Sequence, residues 1–129
     1  MSINDLAGSL VDRPTYYSDE DLTKLGLSST SSLGAVKDVI MTKPNGTCIS
    51  LWINGDTTYG NSVRNELLDQ QSASNVFGWL EIKRVGGFAC VFTMYQYVSA
   101  GTKAIVYAKQ FNKVNGTDTW SLWSKLNNV

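Results

Sequence analysis

The chain contains no histidine, so any chemistry has to come from carboxylates, lysine, tyrosine, serine or cysteine. That absence removes Ser–His and Cys–His nucleophile pairs, imidazole acid–base catalysis and most zinc and non-haem iron sites. Two carboxylates flanking a glycosidic bond remain available, as Glu66 with Asp69 or Glu81 with Asp118. With eleven acids in the chain many such pairs can be drawn, and none stands out by spacing. Asp19-Glu20-Asp21 has the composition of a calcium ligand set. It follows Ser18, however, and acids at a helix start need no metal. No cofactor is expected. Cys48 and Cys90 are the only cysteines, both inside apolar strand-like runs. They read as buried, reduced thiols in a chain made in a reducing cytosol.

Binding is better supplied than catalysis. Four Trp and six Tyr provide rings that suit contact surfaces and the apolar C–H faces of sugars. Trp120 lies beside a polar turn and reads as an exposed stacking ring, whereas Trp123 reads as a core plug. Tyr95 and Tyr97 flank Gln96 at the end of a strand, where they can bond a ligand or fill a subunit interface. Asp56, Tyr59, Asn61 and Arg64 offer donors, acceptors and a ring within one short, irregular span. These seven residues, Trp120, Tyr95, Tyr97, Asp56, Tyr59, Asn61 and Arg64, are the candidate ligand contacts. Asn45-Gly46-Thr47 and Asn115-Gly116-Thr117 match the N-glycosylation pattern but read as Asn-Gly turns.

The elements that must position these residues are mainly β. At 129 residues, 43% apolar and 17% charged, the chain suits one domain: a lead-in over 1–17 and a folded unit over 18–129. Ser18 and the following acids start a two-turn helix that Gly26 stops. Ser28 to Ser32 cap a second, in which Leu33, Val36, Val39 and Ile40 share a face. Ile49, Leu51 and Ile53 alternate on a first strand with both faces partly covered. The span 57–75 has two readings, a short helix over Ser62 to Gln70 with Val63, Leu67 and Glu66 inward or a long polar loop, and the loop with a helical turn is preferred. Val76 to Val85, Phe88 to Val98 and Ala104 to Phe111 then form a meander. Gly86-Gly87 and Ser99 to Thr102 turn it, and Phe88, Cys90, Phe92 and Met94 share a face. The expected fold is an antiparallel β meander or sandwich-like knob with one or two short N-terminal helices. Eleven cationic residues balance eleven acidic ones, so nucleic acid is not an expected partner. No apolar run reaches membrane-spanning length, and the start lacks a signal-peptide pattern.

The segment Gly78-Trp79-Leu80-Glu81-Ile82-Lys83-Arg84, the strand Ile105-Val106-Tyr107-Ala108-Lys109-Gln110-Phe111 and the ending Trp120-Ser121-Leu122-Trp123-Ser124-Lys125-Leu126 occur in succession. The succession resembles the terminal knob domains of bacteriophage tail fibres and tail-like bacteriocins, the pyocin-knob-like domains. Tyr107-Ala108-Lys109 and the W-x-x-W-x-x-L ending carry the likeness, over about 27–126. Lys109 stands where arginine is frequent, and the absence of a long fibrous stretch ahead of the domain in this sequence leads to the expectation of either an excised tip or a small stand-alone virion protein. The resemblance implies a homotrimeric, non-enzymatic receptor-binding head at a virion tail tip, made in the host cytoplasm. Its expected partners are other tail proteins and a bacterial surface polysaccharide or teichoic-acid-like glycan. A small glycan-cleaving enzyme and a ligand-free structural virion protein are the alternatives.

Overall fold

The computed structural model describes residues 15–73, 75–98, 101 and 103–127. Seven strands form one sheet: β1 (Tyr16–Tyr17), β2 (Cys48–Ile53), β3 (Gly78–Arg84), β4 (Ala89–Gln96), β5 (Ile105–Val114), β6 (Thr117–Trp120) and β7 (Ser124–Lys125). Strands β2 to β6 are neighbours in sequence order and pair antiparallel; β7 also pairs with β5, and β1 joins β2 in parallel. The fold is mainly β, as the alternation and Gly-rich turns require. The second layer is helical: a 3-10 helix (Asp19–Leu25), α1 (Leu33–Ile40) and α2 (Thr58–Gln71).

The local causes are plain. Ser18 N–H donates to the Asp21 carboxylate at 3.0 Å at the start of the 3-10 helix, and Gly26 closes it in a left-handed conformation. Ser32 Oγ accepts from Ala35 N–H at 3.0 Å to cap α1. Thr57 Oγ1 accepts from Gly60 N–H at 3.0 Å to cap α2. The hairpin between β5 and β6 turns at Asn115-Gly116, both at positive φ (51° and 79°). Two central residues with positive φ make the tight turn whose twist matches the flanking strands.

Leu22, Leu33, Val36, Ile40, Tyr59, Val63 and Leu67 from the helical layer merge with one face of the sheet into a single buried cluster. Ile49, Leu51, Ile53, Leu80, Ile82, Cys90, Phe92, Met94, Tyr107 and Phe111 are the sheet's share of it. The register sets this face, since Ile49 pairs with Ile82 and Ile82 with Phe92. Among the described residues no helix lies on the other face.

Three expectations are corrected. The span 57–75 is largely α2, fourteen residues long, not a loop. Tyr59, Val63 and Leu67 recur every four residues and bury against the sheet, so packing of a narrow stripe decides the helix. Phe88 is not inward: β4 starts at Ala89, and the ring stands exposed in the Gly86-Gly87 turn. The third strand runs on to Val114 because β6 pairs with its extension. Both cysteines are buried free thiols, as expected. Burial pushes the Cys90 thiol up to about 11 and Cys48 upward as well. The expected turn at 99–102 and the lead-in over 1–14 lie outside the described residues, apart from Gly101. Tyr16 and Tyr17 belong to the sheet.

Candidate binding face

The sheet face away from the helices is where the exposed rings gather. Trp52 on β2 is opposite Trp79 on β3, which is opposite Tyr95 on β4. One step further, Tyr97 N–H donates to Phe77 O at 3.0 Å, continuing the ladder past the strand ends and setting Phe77 beside Tyr97. Strand side chains alternate faces, so Trp52, Trp79 and Tyr95 project from the side away from the helices, and Phe77 and Tyr97 line the same hollow with them. Their exposures run from 37% for Phe77 to 57% for Tyr97. A lone exposed ring needs no explanation, but a contiguous group marks an interaction surface.

The rings hold one another. Trp52 and Trp79 meet edge to face at 5.3 Å between centroids, and Phe77 and Tyr97 lie 5.7 Å apart. Trp52 is also fixed from the backbone, its N–H donating to Asp19 Oδ2 at 2.6 Å. Between the rings lies an apolar hollow of about 510 Å³. It adjoins two more polar hollows. One shares Trp79 and Tyr95 and adds Tyr16, Ser50 and Glu81. The other meets it at Phe77 and adds Asn54, Arg64 and Asn75. The result is a groove with an aromatic middle and hydrogen-bonding ends. At the first end Glu81 pairs with Lys83 at 3.4 Å, and that carboxylate raises the lysine above its ordinary range. Tyr95 OH lies 3.5 Å from Glu81 Oε2.

Of the seven candidate residues, the structure brings Tyr95, Tyr97 and Arg64 to this groove. Asn61 supports it from behind: it accepts from Arg64 Nη2 at 2.7 Å and donates to Gly55 O at 3.0 Å. Asp56 is exposed on the turn before α2 and lines none of these hollows. Tyr59 has to be withdrawn. It is 2% exposed, and its hydroxyl donates to Asp19 Oδ1 at 2.6 Å. Burial and the Asp19 carboxylate hold its phenol well above the ordinary range. Asp19 thus ties the 3-10 helix to both α2 and β2, a structural role for the acidic triplet. Trp120 lies across the sheet, opposite Phe111 on the helix-covered side.

Sequence reasoning did not single out Trp52, Phe77 and Trp79. The signal was available: Trp79 shares the phase of Glu81 and Lys83, and Trp52 the phase of Ser50. A large ring in the polar phase of a strand faces outward. For catalysis the geometry offers little. Glu66 is engaged by Lys109 and Trp123. Glu81 faces the open side, whereas Asp118 reaches toward Lys37 of the helical layer at 3.7 Å. Among the described residues no group of three or more acidic or thiol side chains is placed to hold a metal ion.

No protein-family model matches the chain, and comparisons with curated proteins and with solved structures find no similar one.

Proposed function

We propose that the protein is a non-catalytic receptor-binding knob of a phage or prophage tail fibre, which holds a bacterial surface saccharide along the open aromatic groove. The observation that carries the saccharide reading is the set of five rings exposed among the described residues on the sheet face away from the helices, with Arg64, Asn75 and Glu81 at its ends. Rings supply stacking area at low rotamer cost, and the polar ends supply donors and acceptors for hydroxyls. The tail-fibre part rests on the resemblance of the C-terminal strands and the Trp120-to-Leu126 ending. A zero net charge suits a neutral or weakly charged glycan better than a phosphate-rich strand. Adhesion through one shallow groove is weak, and a homotrimer raises the effective concentration of the second and third sites.

The test is binding of the full chain to polysaccharide extracted from candidate host cell walls. Trp79→Ala is expected to weaken retention at least about tenfold, the worth of one good stacking contact, with a loss of stability of only about 1 kcal/mol from the Trp52 pair. Retention equal to the parent would sink the reading. Tight binding to another tail component with no glycan retained would make the same face an assembly contact. Release of reducing ends from the polymer would replace adhesion by hydrolysis.

A further inference from the structure

On the helix-covered side, away from the aromatic groove, a separate hollow of about 390 Å³ opens between α1, α2 and the C-terminal segment. Its wall is Trp120, 40% exposed, resting on Phe92 and Phe111 at 5.4 and 5.0 Å between centroids. Its floor is ionic. Lys109 on β5 is buried, and its ammonium donates to both oxygens of Glu66 at 3.1 and 2.8 Å. The same ammonium lies 4.8 Å from the Trp120 ring centroid and 5.1 Å from that of Trp123. Trp123 Nε1–H donates to Glu66 Oε2 at 2.8 Å. Ser62 and Gln70 of α2 also line it.

The arrangement leaves a defined set of unused bonds. An ionised carboxylate offers about four acceptor positions, and three of those on Glu66 are taken, two by Lys109 and one by Trp123. Glu66 keeps 35% of its side chain exposed, so the remaining position is open to a ligand. Gln70 Oε1 accepts from Trp123 N–H at 2.7 Å, which fixes the amide and turns its two N–H donors to other partners. The hollow therefore presents an aromatic wall, a fixed charged acceptor and a fixed amide donor. We propose that it is a second binding site, for a single neutral pyranose: the ring stacks on Trp120, one hydroxyl donates to Glu66 and a neighbouring hydroxyl accepts from Gln70. Lys109 neutralises the site, so an uncharged sugar is preferred to an acidic one. Because the Glu66 carboxylate is already held from two sides, little ordering cost falls on binding. The hydroxyl bond to it is charge-assisted.

This site stands independently of the aromatic groove, and one experiment reads both. The four tryptophans give four indole N–H signals in the ¹⁵N-labelled full chain, assigned by single Trp→Phe replacements. The chain is titrated with methyl glycosides of glucose, galactose, mannose and N-acetylglucosamine. The expected result is a saturable shift of the Trp120 and Trp123 signals with at least one glycoside, the second through Glu66. Ser62→Phe, which fills the hollow without touching the ion pair, is expected to abolish those shifts. Glu66→Gln is expected to weaken binding about tenfold. Shifts confined to Trp52 and Trp79 would overturn the second site and leave the groove standing, and no shift at Trp120 and Trp123 with any glycoside would overturn it too. Unaltered binding in Ser62→Phe would do the same.

Discussion

At the scale of single residues, the two C-terminal tryptophans separate as their positions relative to the polar turn suggest. Trp123 is 2% exposed and is bonded by Glu66, Gln70 and Gln71 of α2. Truncating it empties a large core volume and strands those partners, so Trp123→Ala is expected to lower stability by about 3–5 kcal/mol, read as a urea midpoint. Trp120 keeps two-fifths of its surface exposed, yet it packs on two core rings and lies near Lys37 and Lys109. Trp120→Ala is therefore expected to cost about 1–2 kcal/mol, less than Trp123 but not nothing. Equal losses in the two variants would contradict this assignment. Tyr95 and Tyr97 were legible as outward-facing because the alternation of β4 is strict. Tyr59 was not: nothing near it in sequence indicates that Asp19, forty residues earlier, accepts its hydroxyl. Tyr59→Phe leaves that partly buried carboxylate short of a donor, with an expected loss of about 1.5–3 kcal/mol.

At the scale of elements, the strands were readable where one face is core and the other is not, and where Gly-Gly or Asn-Gly marks the turn. The helix α2 was readable only as an alternative over Ser62 to Gln70, since one apolar residue per turn in a Ser-, Asn- and Gln-rich run gives almost no periodic signal. Its formation depends on the sheet supplying a surface for Tyr59, Val63 and Leu67, which is a tertiary cause. The aromatic groove fell between these cases. Each ring lay in a legible strand or at its end, but the register that sets β2, β3 and β4 side by side depends on pairings across tens of residues. Gly78 is the position where this register is most exposed to failure. Its φ is 153°, and a Cβ there would stand 1.9 Å from Tyr95 O on the neighbouring strand. Gly78→Ala is expected to destabilise the chain by about 3 kcal/mol. It would also weaken glycan retention, because β3 must shift away from β4 beside Trp79. Retained stability together with retained binding would show that the groove tolerates a displaced β3.

At the scale of the whole molecule, the absence of histidine leaves no side chain with an ordinary titration between about pH 5 and 8. The groups that burial does shift move upward. Cys90 is raised to about 11, and Cys48, Tyr59 and Tyr107 are also raised. A group whose proton is held more tightly in the folded state than in the unfolded chain contributes its full stabilisation below the unfolded value. That contribution disappears as the pH climbs through the folded one. An unfolded thiol titrates near 8.5 and a phenol near 10. Stability is thus expected to be flat from about pH 5 to 8, to begin falling near pH 9 as the unfolded thiols ionise, and to fall more steeply above about 10 as the tyrosines join. Urea midpoints measured at intervals from pH 5 to 11 check this. Cys90→Ser, with no thiol to ionise at that position, should lose part of the decline between about pH 9 and 10 while keeping the steeper fall above it. A parent midpoint that stayed level to pH 11 would mean that the thiols and phenols exchange protons with solvent as freely in the fold as out of it. The single-layer sheet would then be opening far more readily than its packed inner face allows.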